Sequence, residues 1–578
     1  MKKIKRKILA FGYWLLVIGL LFYTRFVGLN WGLPYPMHPD ERNMAVAVQR
    51  LNCEISNLEF RVLNFKECFN PHFFAYGQLP LYLAYFLIWV WRGFYDVGRM
   101  IISYDEAIMA LRIISAFSSI FSALIMIKIL KIITNKKKEN FWWLLIIIFS
   151  PFFIQFSHFG TTEALLMFFY LLLIYFCLLI LKENIAIKRF IFLASLVSGL
   201  SLATKVSSLV YFFLPILTIF LIKDKNIYQK IFFIGYFLGE ALVFFLIFSP
   251  HNIISWSEFI SALRYESAVA LGKMPVFYTK QFDYSLPIVF QLIKVIPAAL
   301  GMIGFIGLIG LIRFIGKRER KIIFLVLAFF LYFLPNALIY VKWTRFLAPI
   351  FPLILIFGIL FLESLKIKKV IRIIIIIFAI LPGIGYLSIY QNSDVRFEAS
   401  EWIFKNIRQS SYILSETANV VDLPIIPPKL RNLNLNQIIN RNYQIFSFNF
   451  YDLDQNKSLQ KELAHHLNKA EYIIVPSRRI FANYTCFWPE KKDDLFLRLT
   501  YDKSRCEDLK KRFPYLNRYY QDLFSGRLGF EKVVEFSSYP KISFFGKTLL
   551  EFPDEQAEET WTVFDHPVIR VYKRVKRW

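Results

Sequence analysis

Residues 34–51, "PYPMHPDERNMAVAVQRL", come just after an apolar run that ends near residue 28. A His-Pro-Asp-Glu-Arg group at the point where a chain leaves lipid is costly, because ionisable side chains near a bilayer lose hydration. Reading this stretch as a membrane exit decides the fold, and the rest of the sequence agrees with it. The 578 residues are 56% hydrophobic and only 19% charged, with 63 Phe, whereas soluble domains carry roughly a quarter charged residues. The chain is therefore expected to be a polytopic α-helical membrane protein.

The net charge of +27 is expected to encode topology and not nucleic-acid binding. Its Lys and Arg cluster between apolar runs, as they do in cytoplasmic loops. The opening "MKKIKRK" leads into a run long enough to span, so it is expected to remain as an anchor and not to be cleaved.

Runs of spanning or near-spanning length lie at 9–28, 108–131, 141–157, 161–181, 231–249, 288–312, 322–341, 346–363 and 371–390, and residues 189–222 read as two short crossings hinged at "ATKVSS". The basic clusters at Lys2–Lys7, up to Lys138, at Lys188–Arg189, at Lys223–Lys230, up to Lys321 and up to Lys369 fall on one side if residues 79–95 do not cross. That run, rich in Trp and Tyr, is expected to lie in the interface. The count is eleven crossings, with the N-terminus cytoplasmic. Residues 1–390 form the membrane domain, and residues 391–578 form a soluble α/β domain on the outside. In that domain "RFEASEWIFKNI" and "KSLQKELAHHLNKA" read as helices, and "YIIVPS", "EKVVEFSS" and "PVIRVYKR" as strands. Cys53 with Cys68 and Cys486 with Cys506 are candidate outer disulfides, or free thiols; Cys177 sits in a membrane helix.

Within this topology Asp40, Glu41, His158, Glu163, Lys205, Lys342 and Arg345 all fall at outer ends of membrane segments. Taken singly, Asp40, Glu41 and Glu163 suit the first turn of a helix, and each Lys or Arg can snorkel. Taken together, carboxylates beside cations at the lipid boundary suit group transfer from a lipid phosphate. A base takes the acceptor proton while fixed cations stabilise the departing phosphate. A transporter would show repeated halves and interrupted helices near the midplane, and no repeat is evident. A non-catalytic assembly scaffold is the other alternative.

Several motifs resemble the polyprenyl-phosphate-sugar-dependent glycosyltransferases of the glycosyltransferase C superfamily, which include protein O-mannosyltransferases and the lipid A aminoarabinose transferase. They are "HPDERNMAVAVQRL", "NPHFFAYGQLPLYL", "SPFFIQFSHFGTTEALLMFF", "GLSLATKVSSLVYFFLP" and "YVKWTRFLAPIFPLIL", and they occur in family order over about residues 9–390. The resemblance implies Asp40 as general base, with Glu41 as its substitute or assistant, and Glu163 in support. Lys205 and Arg345 would hold the donor phosphate, helped by Lys342 and Arg42. His38, His158 and Tyr76 are candidates to support the site or hold the acceptor. Transfer would invert the anomeric carbon and require no cofactor. The alternative is a divalent ion, Mg²⁺ or Mn²⁺, on Asp40, His158 and Glu163. The implied partners are a polyprenyl-phosphate-linked sugar, an unidentified protein, lipid or glycan acceptor and membrane lipids, with no nucleic acid. The Ile-, Phe-, Lys- and Asn-rich composition points to a prokaryotic cell membrane.

Overall fold

The computed structural model describes residues 2–51, 67, 69–93, 101–136, 140–417, 421–428, 444–489 and 499–575. Cys53 and Cys68 fall outside the described residues.

Six described helices are long and apolar enough to cross a membrane: Tyr104–Thr134, Glu163–Leu181, Ile227–Phe248, Arg320–Leu338, Thr344–Ser364 and Lys369–Gln391. Phe141–Ile148 and Pro151–His158 form a broken span bent by 47°, with Pro151 opening the second half, where its missing N–H costs nothing. Residues 189–222, expected as two short crossings, form two helices, Ile187–Leu202 and Val206–Leu221, parted at the expected hinge. Outward-facing residues such as Ile231, Phe232, Leu242, Ile374 and Phe378 are exposed, as lipid-facing side chains must be in a protein whose solvent is hydrocarbon.

The 288–312 run departs from expectation. Instead of one straight crossing, Gln291–Leu300 and Met302–Phe314 meet at 118°. The turn is at Gly301, whose φ of +62° lies in the left-handed region that side chains resist. Hydropathy sums over a window and does not register such a corner.

Leu79–Trp91 has 13 residues, about 20 Å of helix, which is short of the ~30 Å hydrocarbon core. It packs with Pro39–Gln49 and the start of Tyr104–Thr134 in an apolar cluster separate from the main core (Met44, Val48, Leu81, Tyr85, Ile108). Ser103 closes a capping box with Glu106 where the long helix begins.

The C-terminal portion holds a five-stranded sheet in the order β2-β1-β3-β7-β4. Its strands are β1 (Tyr412–Glu416), β2 (Gln444–Phe448), β3 (Tyr472–Val475), β4 (Phe530–Phe536) and β7 (Ile569–Arg574), and a separate hairpin pairs β5 (Lys541–Phe544) with β6 (Lys547–Glu551). β2, β1 and β3 run parallel, and β7 and β4 add antiparallel. The chain passes from β2 through the helix Lys457–Lys469 to β3 on the far side of β1. The helices and strands read from the quoted tail stretches are all present. Cys486 and Cys506 form a disulfide with Cα atoms 5.7 Å apart, and Cys177 is buried and free.

This sheet unit is joined to the membrane helices by buried polar contacts. Asp565 Oδ2 accepts from the hydroxyls of Tyr390 (2.8 Å) and Tyr386 (3.2 Å) and from Gln155 Nε2 (3.2 Å). His566 bridges Asp565 (2.6 Å) and Asp554 (3.1 Å). Such a network is stable only when its members are satisfied together.

Candidate active site

The helix Pro39–Gln49 starts with His38 as N-cap, Nδ1 accepting from the Glu41 N–H at 3.4 Å, and with Pro39 in the first turn. This start projects Asp40, whose carboxylate pairs with Arg345. Arg345 sits in the first turn of Thr344–Leu347, its guanidinium 4.5 Å over the Trp343 ring and 5.9 Å over Phe346. Its Nε is buried with no acceptor among the described residues.

Phe346 also borders Lys205, Nζ 5.3 Å from that ring, 4.9 Å from the Tyr76 ring and 3.7 Å from Glu163 Oε1. The approach of Tyr76 to Lys205 is set by the backbone. Gly77 N–H donates to Thr204 O at 2.9 Å, and a Cβ on Gly77 would stand 2.0 Å from Ala203 O, so only glycine permits the contact. Glu163 is the first residue of its helix, where the dipole favours an acid. Burial holds the Tyr76 hydroxyl protonated well above its usual range, and Glu163, Glu266 and Tyr278 reinforce this. Glu266 is raised by desolvation, with Lys205 opposing the shift.

Asp40, Arg345, Lys205, Glu163 and Tyr76 therefore meet around Phe346. The Asp40 and Arg345 side chains are 22% and 18% exposed and Lys205 is 15% exposed, so these three reach the surface of the group, whereas Glu163 and Tyr76 are buried.

The other candidate residues are engaged elsewhere. Glu41 is buried in a two-pronged pair with Arg112 (2.7 and 2.8 Å) and accepts from Gly160 N–H at 2.7 Å. Arg112 also donates to the carbonyls of Leu29 and Trp31, a full set of partners for both ions. His158 is fully buried, its ring nitrogens 2.7 Å from Ile154 O and 2.8 Å from Val27 O, and it stacks on Tyr390 at 3.7 Å. His38 lies between Phe159 and Phe564, and burial followed by the charges of Arg345 and Arg112 pushes its pKa well down, keeping it neutral. Lys342 donates to Tyr340 O, and burial lowers its ammonium to about 8. Arg42 is half-buried, and its charge acts on the Tyr104 hydroxyl. Among the described residues no three His, Cys, Asp or Glu side chains gather as a metal ion would require. The set Asp40, His158 and Glu163 is not assembled, since both His158 nitrogens face carbonyls.

Sequence reasoning missed the contribution of the sheet unit. Glu558 Oε2 accepts from the Thr344 N–H at 3.0 Å and Oε1 from Gln281 Nε2 at 2.7 Å, capping the turn that carries Arg345. Arg479 pairs with Glu559 at 2.6 Å and lies 5.9 Å from the Phe564 ring, next to His38. Nothing in "AEETWTVFDHPVIRVYKR" marks these acids, because the partners of Glu558 are more than 200 positions away and that of Glu559 is 80 positions away. Arg112 did leave a signal, an arginine inside an apolar run.

Residues 86–256 match the family model described as dolichyl-phosphate-mannose-protein mannosyltransferase, within the region over which the motifs showed their resemblance. No curated protein matches the chain. Among solved structures, ArnT from Cupriavidus metallidurans bound to undecaprenyl phosphate is 11% identical, covering 80% of this chain and 92% of that one, with a TM-score of 0.44. The archaeal oligosaccharyltransferase AglB from Archaeoglobus fulgidus, in complex with an inhibitory peptide and a dolichol-phosphate, is 11% identical over 81% of this chain and 71% of that one (TM-score 0.41). The arabinofuranosyltransferase AftD from Mycobacteria is 12% identical over 98% of this chain and 41% of that one (TM-score 0.37).

Proposed function

We propose that this chain is an integral membrane glycosyltransferase that moves a sugar from a polyprenyl-phosphate donor to an acceptor on the extracytoplasmic side. The observation that carries this reading is the meeting of Asp40 and Glu163 with Arg345 and Lys205 around Phe346, although the four are dispersed between positions 40 and 345. The match of residues 86–256 supports the same class.

In this reading Arg345 and Lys205 receive the donor phosphate, Arg345 through a planar fork and Lys205 as a point charge. The buried Nε of Arg345 has no acceptor among the described residues and would reach the phosphate only as the guanidinium turns. As the guanidinium turns to the phosphate it releases Asp40, which takes the proton of the acceptor hydroxyl. The acceptor oxygen bonds to the anomeric carbon, the bond from that carbon to the phosphate oxygen breaks, and the electron pair leaves with polyprenyl phosphate. One displacement of this kind inverts the anomeric configuration. Glu163 fixes Lys205, and Glu41 with Arg112 holds the turn beneath Asp40. The two cations compensate the phosphate, so a divalent ion is not required. The N-terminus lies in the cytoplasm and the sheet unit outside, with the opening facing the outer leaflet.

The test is incubation of purified protein with radiolabelled polyprenyl-phosphate sugar and a membrane extract as acceptor source. Release of polyprenyl phosphate with label on an acceptor is expected. Absence of both with every polyprenyl-phosphate hexose and pentose would overturn the reading.

A further inference from the structure

We propose that the crevice at the carboxyl ends of β1, β2 and β3 binds a neutral oligosaccharide, which, given the transferase reading above, is the acceptor. The crevice encloses about 810 Å³. Thr417, following β1, Asn449, Tyr451 and Asp452, following β2, and Tyr484, beyond β3, line it from the sheet unit. Phe277 and Lys280 close it from the membrane portion, and Arg512 and Phe513 from the helical side. The chain goes from β1 to β2 on one side and then across to β3 on the other. The strand order thus reverses at β1, and open parallel sheets take ligands outside the carboxyl ends of strands at such a reversal.

The lining selects the ligand class. Lys280 Nζ lies 3.6 Å from Asp283, and Arg512 is shared between that carboxylate (3.1 Å) and Asp508. Among the described residues the two cations of the crevice, Lys280 and Arg512, are thus already paired with carboxylates, which disfavours a nucleotide or an anionic polymer. Four aromatic residues line the crevice: Phe277 and Tyr451 are partly exposed, and Tyr484 and Phe513 are buried behind them, an apolar wall suited to the C–H faces of a pyranose. Asn449 and Asp452, bonded to each other at 2.8 Å, bring amide and carboxylate groups to the wall for hydroxyls. The Tyr451 hydroxyl is buried with no partner among the described residues, a cost that a bound hydroxyl removes. An extended peptide is disfavoured because the crevice lies at strand ends and not along an edge, so it offers no ladder for a peptide backbone.

The crevice also shares a wall with the candidate active site. The Phe277 ring is 4.7 Å from Tyr451 and packs on Tyr278 (5.1 Å), Tyr278 stacks on Trp343 (6.1 Å), and Trp343 holds Arg345.

The experiment uses full-length protein in nanodiscs and saturation-transfer-difference NMR. The probes are neutral mannan-, glucan- and galactan-derived oligosaccharides of two to four sugars, with a serine-containing peptide and a nucleoside diphosphate as comparisons. Saturable binding of at least one oligosaccharide series is expected, weakened tenfold or more by Thr417→Trp, which fills the crevice, and by Tyr451→Ala. Undecaprenyl phosphate should bind both variants as it binds the wild type, which also reports that they are folded. No oligosaccharide binding, binding of only the peptide or nucleotide, or binding indifferent to both substitutions would overturn the proposal. Oligosaccharide binding that depends on Thr417 and Tyr451 in a protein that never releases polyprenyl phosphate would uphold the crevice and overturn the transferase reading.

Discussion

Asp40 and Arg345, 305 positions apart, form an ion pair at the mouth of the site. In the proposed mechanism a base locked to the cation that the donor phosphate needs would be idle until the phosphate arrives, which would couple donor binding to activation of the acceptor.

Asp40→Asn is expected to lower transfer by roughly 10²- to 10⁴-fold, the usual contribution of a general base. Donor affinity should be kept or improved, since an amide releases Arg345. The check is the transfer rate together with polyprenyl-phosphate binding on the same preparation. A rate within about tenfold of wild type would remove Asp40 from the role.

Lys205→Ala and Arg345→Ala are expected to weaken donor binding. A charged hydrogen bond is worth about 1.5–3 kcal/mol, so each should cost roughly one to two orders of magnitude in affinity. Titration with undecaprenyl phosphate measures this directly. Unchanged affinity in both variants would break the phosphate assignment.

Treatment with EDTA is expected to leave the transfer rate unchanged, because in the proposed mechanism Lys205 and Arg345 would meet the phosphate charge. Loss of activity that Mg²⁺ or Mn²⁺ restores would contradict this.

Glu558→Ala removes the acceptor of the Thr344 N–H and a partner of Gln281. A destabilisation of about 1–3 kcal/mol is expected from the buried donors left behind, with a fall in kcat because the Arg345 turn loses its cap. Glu558→Gln keeps one acceptor, its side-chain carbonyl, for the Thr344 N–H and loses the one that faces Gln281 Nε2, so it should recover part of the activity. Equal damage from both variants would point instead to the charge of Glu558.

His566 gives a pH signature. Burial alone would lower it, but Asp565 and Asp554 outweigh burial and raise it to about 10. A raised histidine contributes stability that is complete below its unfolded value near 6.5 and is lost as pH climbs through the folded value. Asp565 is lowered despite burial, chiefly by His566, so its share is lost only when acid passes below the ordinary carboxylate range. The melting temperature should therefore fall between about pH 6.5 and 10, and His566→Ala should melt lower with a flatter profile. Parallel profiles for the two proteins would show that His566 does not link the sheet unit to Tyr386, Tyr390 and Gln155.

The helices were legible because lipid imposes a rule that composition obeys: about 20 apolar residues per crossing, with charges sorted by side. The hinge at "ATKVSS" was visible because Lys205 interrupts an apolar run. The corner at Gly301 was not, since a single glycine leaves hydropathy unchanged. Asp40, Glu163, Lys205 and Arg345 could be named because an ionisable group at a membrane boundary stands out against its surroundings. Glu558 and Arg479 stand among other charged residues in a polar tail, where nothing distinguishes them.

By itself the sequence determined a polytopic helical membrane protein with an α/β tail, since the cost of dehydrating charge acts on each segment separately. Only the tertiary structure decided which charges meet. It paired Glu41 with Arg112 and Asp40 with Arg345, although Asp40 and Glu41 are neighbours in the chain, because adjacent residues at a helix start point in different directions. It also brought Glu558 to the Thr344 turn, a contact that depends on how the sheet unit sits against the membrane helices.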